Sequence, residues 1–228
     1  YEAVQVNDFI LNGPNQISNV GFNHRLKSVI KNVNSDGKNS SKFKDKSQSE
    51  ILSMITYDID LPLIKDEDNF NNLLTPKISF RFSPNDTKSL KDESRYLNTD
   101  NIFSLNRIGY NDTIESGTSL TLGLDFEKKN KKNNDSVLSS KIATVFRDEI
   151  NENLPLTSTL GKKQSDFVGE INFIPNSNLK FDYNYSLKNN LNEINLHNFE
   201  TTFLVNNFVN TFIFYEENNL IGDKSYYE

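Results

Sequence analysis

Between Ser119 and Glu127 the chain alternates strictly. Leu120, Leu122, Leu124 and Phe126 fall on one side of an extended backbone; Ser119, Thr121, Gly123, Asp125 and Glu127 fall on the other. Successive side chains of a strand point to opposite faces, so a period of two marks a strand whose two faces meet different environments. The pattern recurs. Leu179, Phe181, Tyr183, Tyr185 and Leu187 alternate with Lys180, Asp182, Asn184 and Ser186. Ile55, Tyr57, Ile59 and Leu61 alternate with Thr56, Asp58 and Asp60, and Ile78, Phe80 and Phe82 with Ser79 and Arg81. Phe167, Gly169, Ile171 and Phe173 alternate less cleanly with Val168, Glu170 and Asn172, and the run from Phe208 to Tyr215 carries apolar residues on both faces. No segment sustains helical periodicity beyond one or two turns. The chain is therefore expected to be all-β.

Composition agrees. Only 35% of residues are hydrophobic and the mean hydropathy is -0.62, yet there are 17 Phe and 9 Tyr. The apolar content thus sits in aromatic and β-branched types, which fit a pleated surface. The absence of Cys excludes a thiol nucleophile, a disulfide scaffold and a Cys-ligated metal site. A formal net charge of -6 argues against a general nucleic-acid binder. No window approaches 18 consecutive apolar residues, so no transmembrane helix is expected; barrel strands give a much weaker signal and stay open.

Connections come in two sizes. Short ones are expected at Asn12–Asn15, Pro175–Asn178, Lys188–Asn192 and Asn206–Asn207. Long polar ones are expected over Asn34–Ser49, Ser83–Asp100 and Lys128–Asp135. Roughly ten strands of about 9–13 residues result, longer than the usual ~5–6. A strand of ~10 residues tilted ~45° spans about 23 Å, near the apolar band of an outer-membrane barrel. Two architectures fit the alternation. In a soluble sandwich the apolar face is the core. In a transmembrane barrel it meets lipid and the polar face lines a lumen. Alternation alone favours the commoner sandwich; strand length, the two sizes of connection and charge on the polar faces pull toward the barrel, and on these grounds the two stand level. The barrel form would be an antiparallel transmembrane β-barrel segment, an incomplete barrel with short turns on one rim and long loops on the other. Residues 1–228 would then be one partial barrel domain, cut mid-pattern at both ends.

No constellation points to catalysis, so no enzyme activity, cofactor or metal is expected. His24 and His197, about 170 positions apart, read as ordinary strand residues without a clustered ligand set. Asp58 and Asp60, and likewise Asp125 and Glu127, share strand faces, an arrangement able to hold a cation or serve acid–base chemistry. With Arg81, Lys180 and Asp182 they read more simply as lumen-facing polar residues. The basic run Lys128–Lys132 reads as a solvated hairpin loop, with contact to anionic sugar phosphate as the alternative. Tyr57, Tyr183, Tyr185, Tyr215, Tyr226 and Tyr227 are candidates for an aromatic girdle.

Several ordered stretches resemble the barrel domain of the LptD (OstA/Imp) family. One is Leu61-Pro62-Leu63-Ile64-Lys65 with Leu74-Thr75-Pro76-Lys77, leading into the strand from Ile78 to Ser83. A second runs from Asn101 through Asn106-Arg107 to Asp112, Glu115 and Gly117, directly before the cleanest strand. A third joins Phe146-Arg147-Asp148 to Ser165–Gly169 and to Tyr183-Asn184-Tyr185. The order spans nearly the whole chain. The resemblance implies transport: lipopolysaccharide inserted into the outer leaflet of the bacterial outer membrane, with a plug lipoprotein (LptE-like) and a periplasmic bridge protein (LptA-like) as partners of the full-length protein, and no nucleic acid. Family barrels have about 26 strands, within the range for outer-membrane proteins, so this chain cannot close one alone, and the resemblance implies an N-terminal periplasmic domain that residues 1–228 do not include. Leu74, Thr75, Pro76, Asn106, Arg107, Glu115 and Gly117 carry the resemblance without assigned chemistry, and Arg107 and Glu115 are expected to pair across a loop folded over or into the lumen. The alternatives are a porin-like or uptake barrel and, less favoured, a soluble secreted β-sandwich binding module.

Overall fold

The computed structural model describes residues 1–40, 45–219 and 222–227. Its strands are β1 (Glu2–Asn12), β2 (Gln16–Ile17), β3 (Asn23–Gly37), β4 (Gln48–Asp60), β5 (Leu63–Asp66), β6 (Phe70–Ser83) and β7 (Gly117–Asn130). Then come β8 (Ser136–Arg147), β9 (Phe167–Asn176), β10 (Leu179–Leu187), β11 (Ile194–Val205), β12 (Phe208–Asn219) and β13 (Gly222–Tyr227). A single 3-10 turn at Thr159–Gly161 is the other regular element among the described residues.

All 13 strands form one antiparallel sheet in the order β1-β3-β4-β6-β7-β8-β9-β10-β11-β12-β13; β2 pairs β3 and β5 pairs β6. The sheet does not close, as expected of an incomplete barrel. Apart from the short β2 and β5, neighbours in the order follow one another in the chain, the up-and-down pattern of an antiparallel sheet. β3 reaches 15 residues and β6 and β7 reach 14, longer than the sequence pattern predicts.

Up-and-down winding separates the connections into two rims. One carries residues 38–40 and 45–47, the long segments 84–116 and 148–166 and the shorter 188–193. The other carries 13–22, 61–69, 131–135, 177–178 and 206–207. The left-handed backbone at Asn206, φ 54°, suits Asn, whose short polar side chain tolerates it.

Pro76 sits inside β6, where a missing N–H normally breaks a ladder. Its carbonyl accepts from Leu61 N at 3.1 Å. In a strand a residue's N–H and C=O point to the same neighbour, so the absent donor falls at the corner 61–62 between β4 and β5. The β6–β7 ladder is continuous through Pro76.

Register makes the faces explicit. Arg81 stands opposite Thr56 on β4 and Ser119 on β7; Ser119 stands opposite Arg147 on β8. The other face carries Leu26, Ile30, Ile55, Tyr57, Ile78, Phe80, Phe82, Leu120, Leu122, Leu124, Ile171 and Phe173, all exposed. The core lies on the polar face, beneath the long loops. One cluster joins loop residues Leu90, Ile102, Ile108, Leu154 and Leu160 to Ala143, Val145 and Val168 of the sheet. A second joins loop residue Ile114 to Val29, Val33, Leu52 and Met54.

Candidate functional site

The segment 84–116 leaves β6, crosses the polar face and returns to β7 through Gly117. Its backbone φ of +82° there is strained for any side chain, and an added Cβ would come within 3.3 Å of Arg147 Nη2. Besides the apolar clusters, charge holds the segment down. Glu115 meets Arg107 in a bidentate pair: Nε to Oε2 at 2.6 Å and Nη2 to Oε1 at 2.5 Å. Arg147 Nη1 donates to the same Oε1, and Arg81 Nη1 lies 3.8 Å from Oε2. All four side chains are no more than 3% exposed.

The sheet completes the shell. Arg107 donates to Thr121 Oγ1 at 2.9 Å and to Ser119 Oγ at 2.8 Å. Arg81 donates to the carbonyls of Leu105 at 2.9 Å and Ser104 at 2.6 Å, and Arg147 to that of Ser116. Burial opposes ionisation of Glu115, but the charges of Arg107 and Arg81 outweigh it and hold the carboxyl down at about 2. Removing one partner from a set of buried charges is strongly destabilising. The cluster is a lock between loop and sheet.

A second, uncharged lock ties the two long loops together. Ser116 N donates to Thr87 Oγ1 at 2.8 Å, and Asn151 Nδ2 donates to Thr87 Oγ1 at 3.1 Å and Ser116 Oγ at 2.9 Å. Asn106 shapes the turn before Gly109, accepting from its N at 3.1 Å and donating to Tyr110 O at 3.1 Å.

The charged residues of the polar face sit nearer the short-turn rim. Asp58 pairs with Lys27 at 2.9 Å and accepts from Ser79 at 2.6 Å, while Asp60 accepts from Asn23 at 3.0 Å. Asp125 pairs with Lys77, Glu127 with Lys129 at 3.1 Å, and Lys180 with Asp182 at 2.8 Å. Their spacing leaves no cluster of three His, Asp or Glu able to hold a metal ion among the described residues. Leu74, Thr75 and Pro76 lie on β6 at the β4–β5 corner, away from the lock.

Two expectations need correction. Lys128 and Lys129 lie within β7, which runs on to Asn130, and the turn that follows, 131–135, is on the rim opposite the long loops, because successive connections of an up-and-down sheet alternate between rims. The polar face is also less uniformly polar than the alternation indicates. Val29, Val33, Leu52, Met54, Ala143, Val145 and Val168 lie on it and are buried by the loops. Their signal in the sequence is weak: apolar residues on both faces of β8, then Arg147, which appeared in the sequence only as part of the family-like stretch.

Tyr and His form pairs on the outward face. Tyr57 OH is 2.9 Å from His24 Nδ1 near the short-turn rim, and Tyr183 OH is 2.8 Å from His197 Nδ1 toward the loop rim. Tyr215 instead falls on the polar face by register and donates to Glu217 at 2.6 Å.

A protein-family model described as LptD, LPS transport system D, matches residues 28–227. Among curated proteins nothing matches.

Proposed function

Because the chain belongs to the LptD family of the lipopolysaccharide transport system, we propose that it forms part of the wall of an outer-membrane β-barrel that inserts lipopolysaccharide into the outer leaflet. The observation that carries this reading is the placement of the apolar face. Leu120, Leu122 and Leu124 on β7, with Ile78, Phe80 and Phe82 on β6, present a continuous exposed apolar surface, while the polar face is the one that is covered. A water-soluble sheet buries the first kind of surface. A barrel wall turns it to lipid. Fourteen residues at ~3.3 Å each, tilted ~45°, rise about 33 Å and cover the apolar band of ~25 Å.

In this reading the loop-covered face is the lumen, and its charges are solvated or paired there. Sugar and phosphate groups then meet polar side chains while acyl chains stay in lipid. The plug lipoprotein and periplasmic bridge protein are partners of the full-length protein in the same reading.

The test is fractionation of the full-length parent protein with heat-modifiable gel mobility as readout, then its depletion while surface lipopolysaccharide is followed. Recovery in the outer membrane, a mobility shift and loss of surface lipopolysaccharide are expected. A soluble protein without a shift overturns the barrel; a barrel whose depletion leaves surface lipopolysaccharide unchanged overturns the transport role.

A further inference from the structure

The loop-covered face also holds a cavity of about 350 Å³. Loop segments 96–99 and 156–159 roof it, and the loop-rim ends of β9, β10, β11 and β12 floor it. The volume is at the small end of the range for ligand sites, about 300–1,000 Å³.

Its chemistry is specific. Leu97 and Leu156 from the loops and Val168 and Leu196 from the sheet supply apolar wall. Asn184 and Ser186, adjacent inward positions of β10, supply an amide and a hydroxyl that make no hydrogen bond among the described residues. The charged lining residues balance: Lys162 and Lys188 against Asp166 and Glu217. Asp166 accepts from Asn195 at 2.6 Å, Glu217 from Tyr215 at 2.6 Å, and Lys188 pairs with Glu193. An anion such as phosphate gains nothing from a site with two carboxylates and no excess of cations.

We propose that this cavity is a subsite for an uncharged sugar ring, an inference that rests on the lipopolysaccharide transport reading above. A pyranose has an apolar C–H face and a rim of hydroxyls. Leu97 and Leu156 take the face. Asn184 both donates and accepts, as vicinal hydroxyls require, and Ser186 adds a third polar contact. The subsite lies at the loop rim, so the sugar is held where the lumen is roofed by the strapped loops.

The experiment uses the full-length protein purified in detergent and, as probe, the delipidated oligosaccharide released from lipopolysaccharide by mild acid. Binding is read by saturation-transfer NMR and titration. The wild-type protein is expected to bind the oligosaccharide. A neutral hexose disaccharide should compete and inorganic phosphate should not. Asn184→Leu and Ser186→Val should each weaken binding roughly tenfold, the scale of one or two lost hydrogen bonds. Both variants are first checked for wild-type heat-modifiable mobility, and at least the smaller change, Ser186→Val, should pass. No binding by the folded wild type, equal binding by the variants, or displacement by phosphate overturns the subsite. Surface lipopolysaccharide after depletion of the parent is scored separately: if it falls while the oligosaccharide does not bind, the subsite alone fails, and if it is unchanged, the transport reading fails.

Discussion

Phe103 lays its ring over Gly123, so closely that a Cβ at Gly123 would come within 2.6 Å of the ring edge. Gly123 is an inward position of the cleanest strand, β7, and Phe103 belongs to the segment strapped across it. The strand omits a side chain where the loop supplies one, and Lys77 Nζ sits 5.9 Å from the same ring. Tyr185 covers Gly169 in the same way on the outward face.

This contact gives the first prediction. Gly123→Val should lift the 84–116 segment and make it sensitive to limited proteolysis, while the strand itself, favoured by a β-branched residue, remains. Adding Phe103→Ala should restore part of the protection by making room. If the single variant is cut no faster than wild type, the seating inferred for Phe103 is wrong.

Glu115→Gln keeps the shape of the lock and removes its anion. Arg107 and Arg147 then stay buried beside a neutral amide, and breaking a buried pair in this way costs about 3–5 kcal/mol. A lower temperature of the heat-modifiable transition and a protease-sensitive loop are the expected readouts. Asp148→Asn is the control: it stands next to Arg147 but is largely exposed, and should change little.

Acid should open the same lock. The Glu115 carboxyl lies at about 2 in the folded protein against an ordinary value of 4.5. Its folded value is the lower one, so its contribution is complete above about 4.5 and is lost as the pH falls toward about 2. Cleavage of 84–116 by an acid-active protease should rise through that window in wild type. In Glu115→Gln this component of the pH dependence should vanish.

Leu122→Arg separates the membrane reading from a soluble one. Leu122 is exposed on the outward face midway along β7. In a barrel wall a mid-membrane Arg costs about 2–4 kcal/mol, and the heat-modifiable fraction should drop. Asp125→Asn, on the opposite face of the same strand, should assemble normally. A soluble sheet would instead gain solubility from the arginine.

Much of this architecture was legible beforehand because strand geometry is local. Leu120, Leu122 and Leu124 declare one face and Thr121 and Asp125 the other without reference to any neighbour. The long segment before Gly117 was legible as a loop by its family-like order, and so were Arg107 and Glu115, eight positions apart. The share of the lock held by Arg81 and Arg147 was not, since 32 positions separate Glu115 from Arg147 and no period links them. Nor was the placement of Lys128 and Lys129 within the strand, which depended on how far β7 continues.

By itself the sequence determined that this chain forms long strands with one apolar and one polar face, because backbone sterics alternate side chains whatever lies beyond. The tertiary structure alone decided what the polar face is for. Pairing of β6, β7 and β8 sets Arg81, Ser119 and Arg147 in one row, and the returning loop drops Arg107 and Glu115 onto it. The cluster needs its guanidinium groups and its carboxylate at the same place, a condition that only the folded register and the folded loop satisfy together.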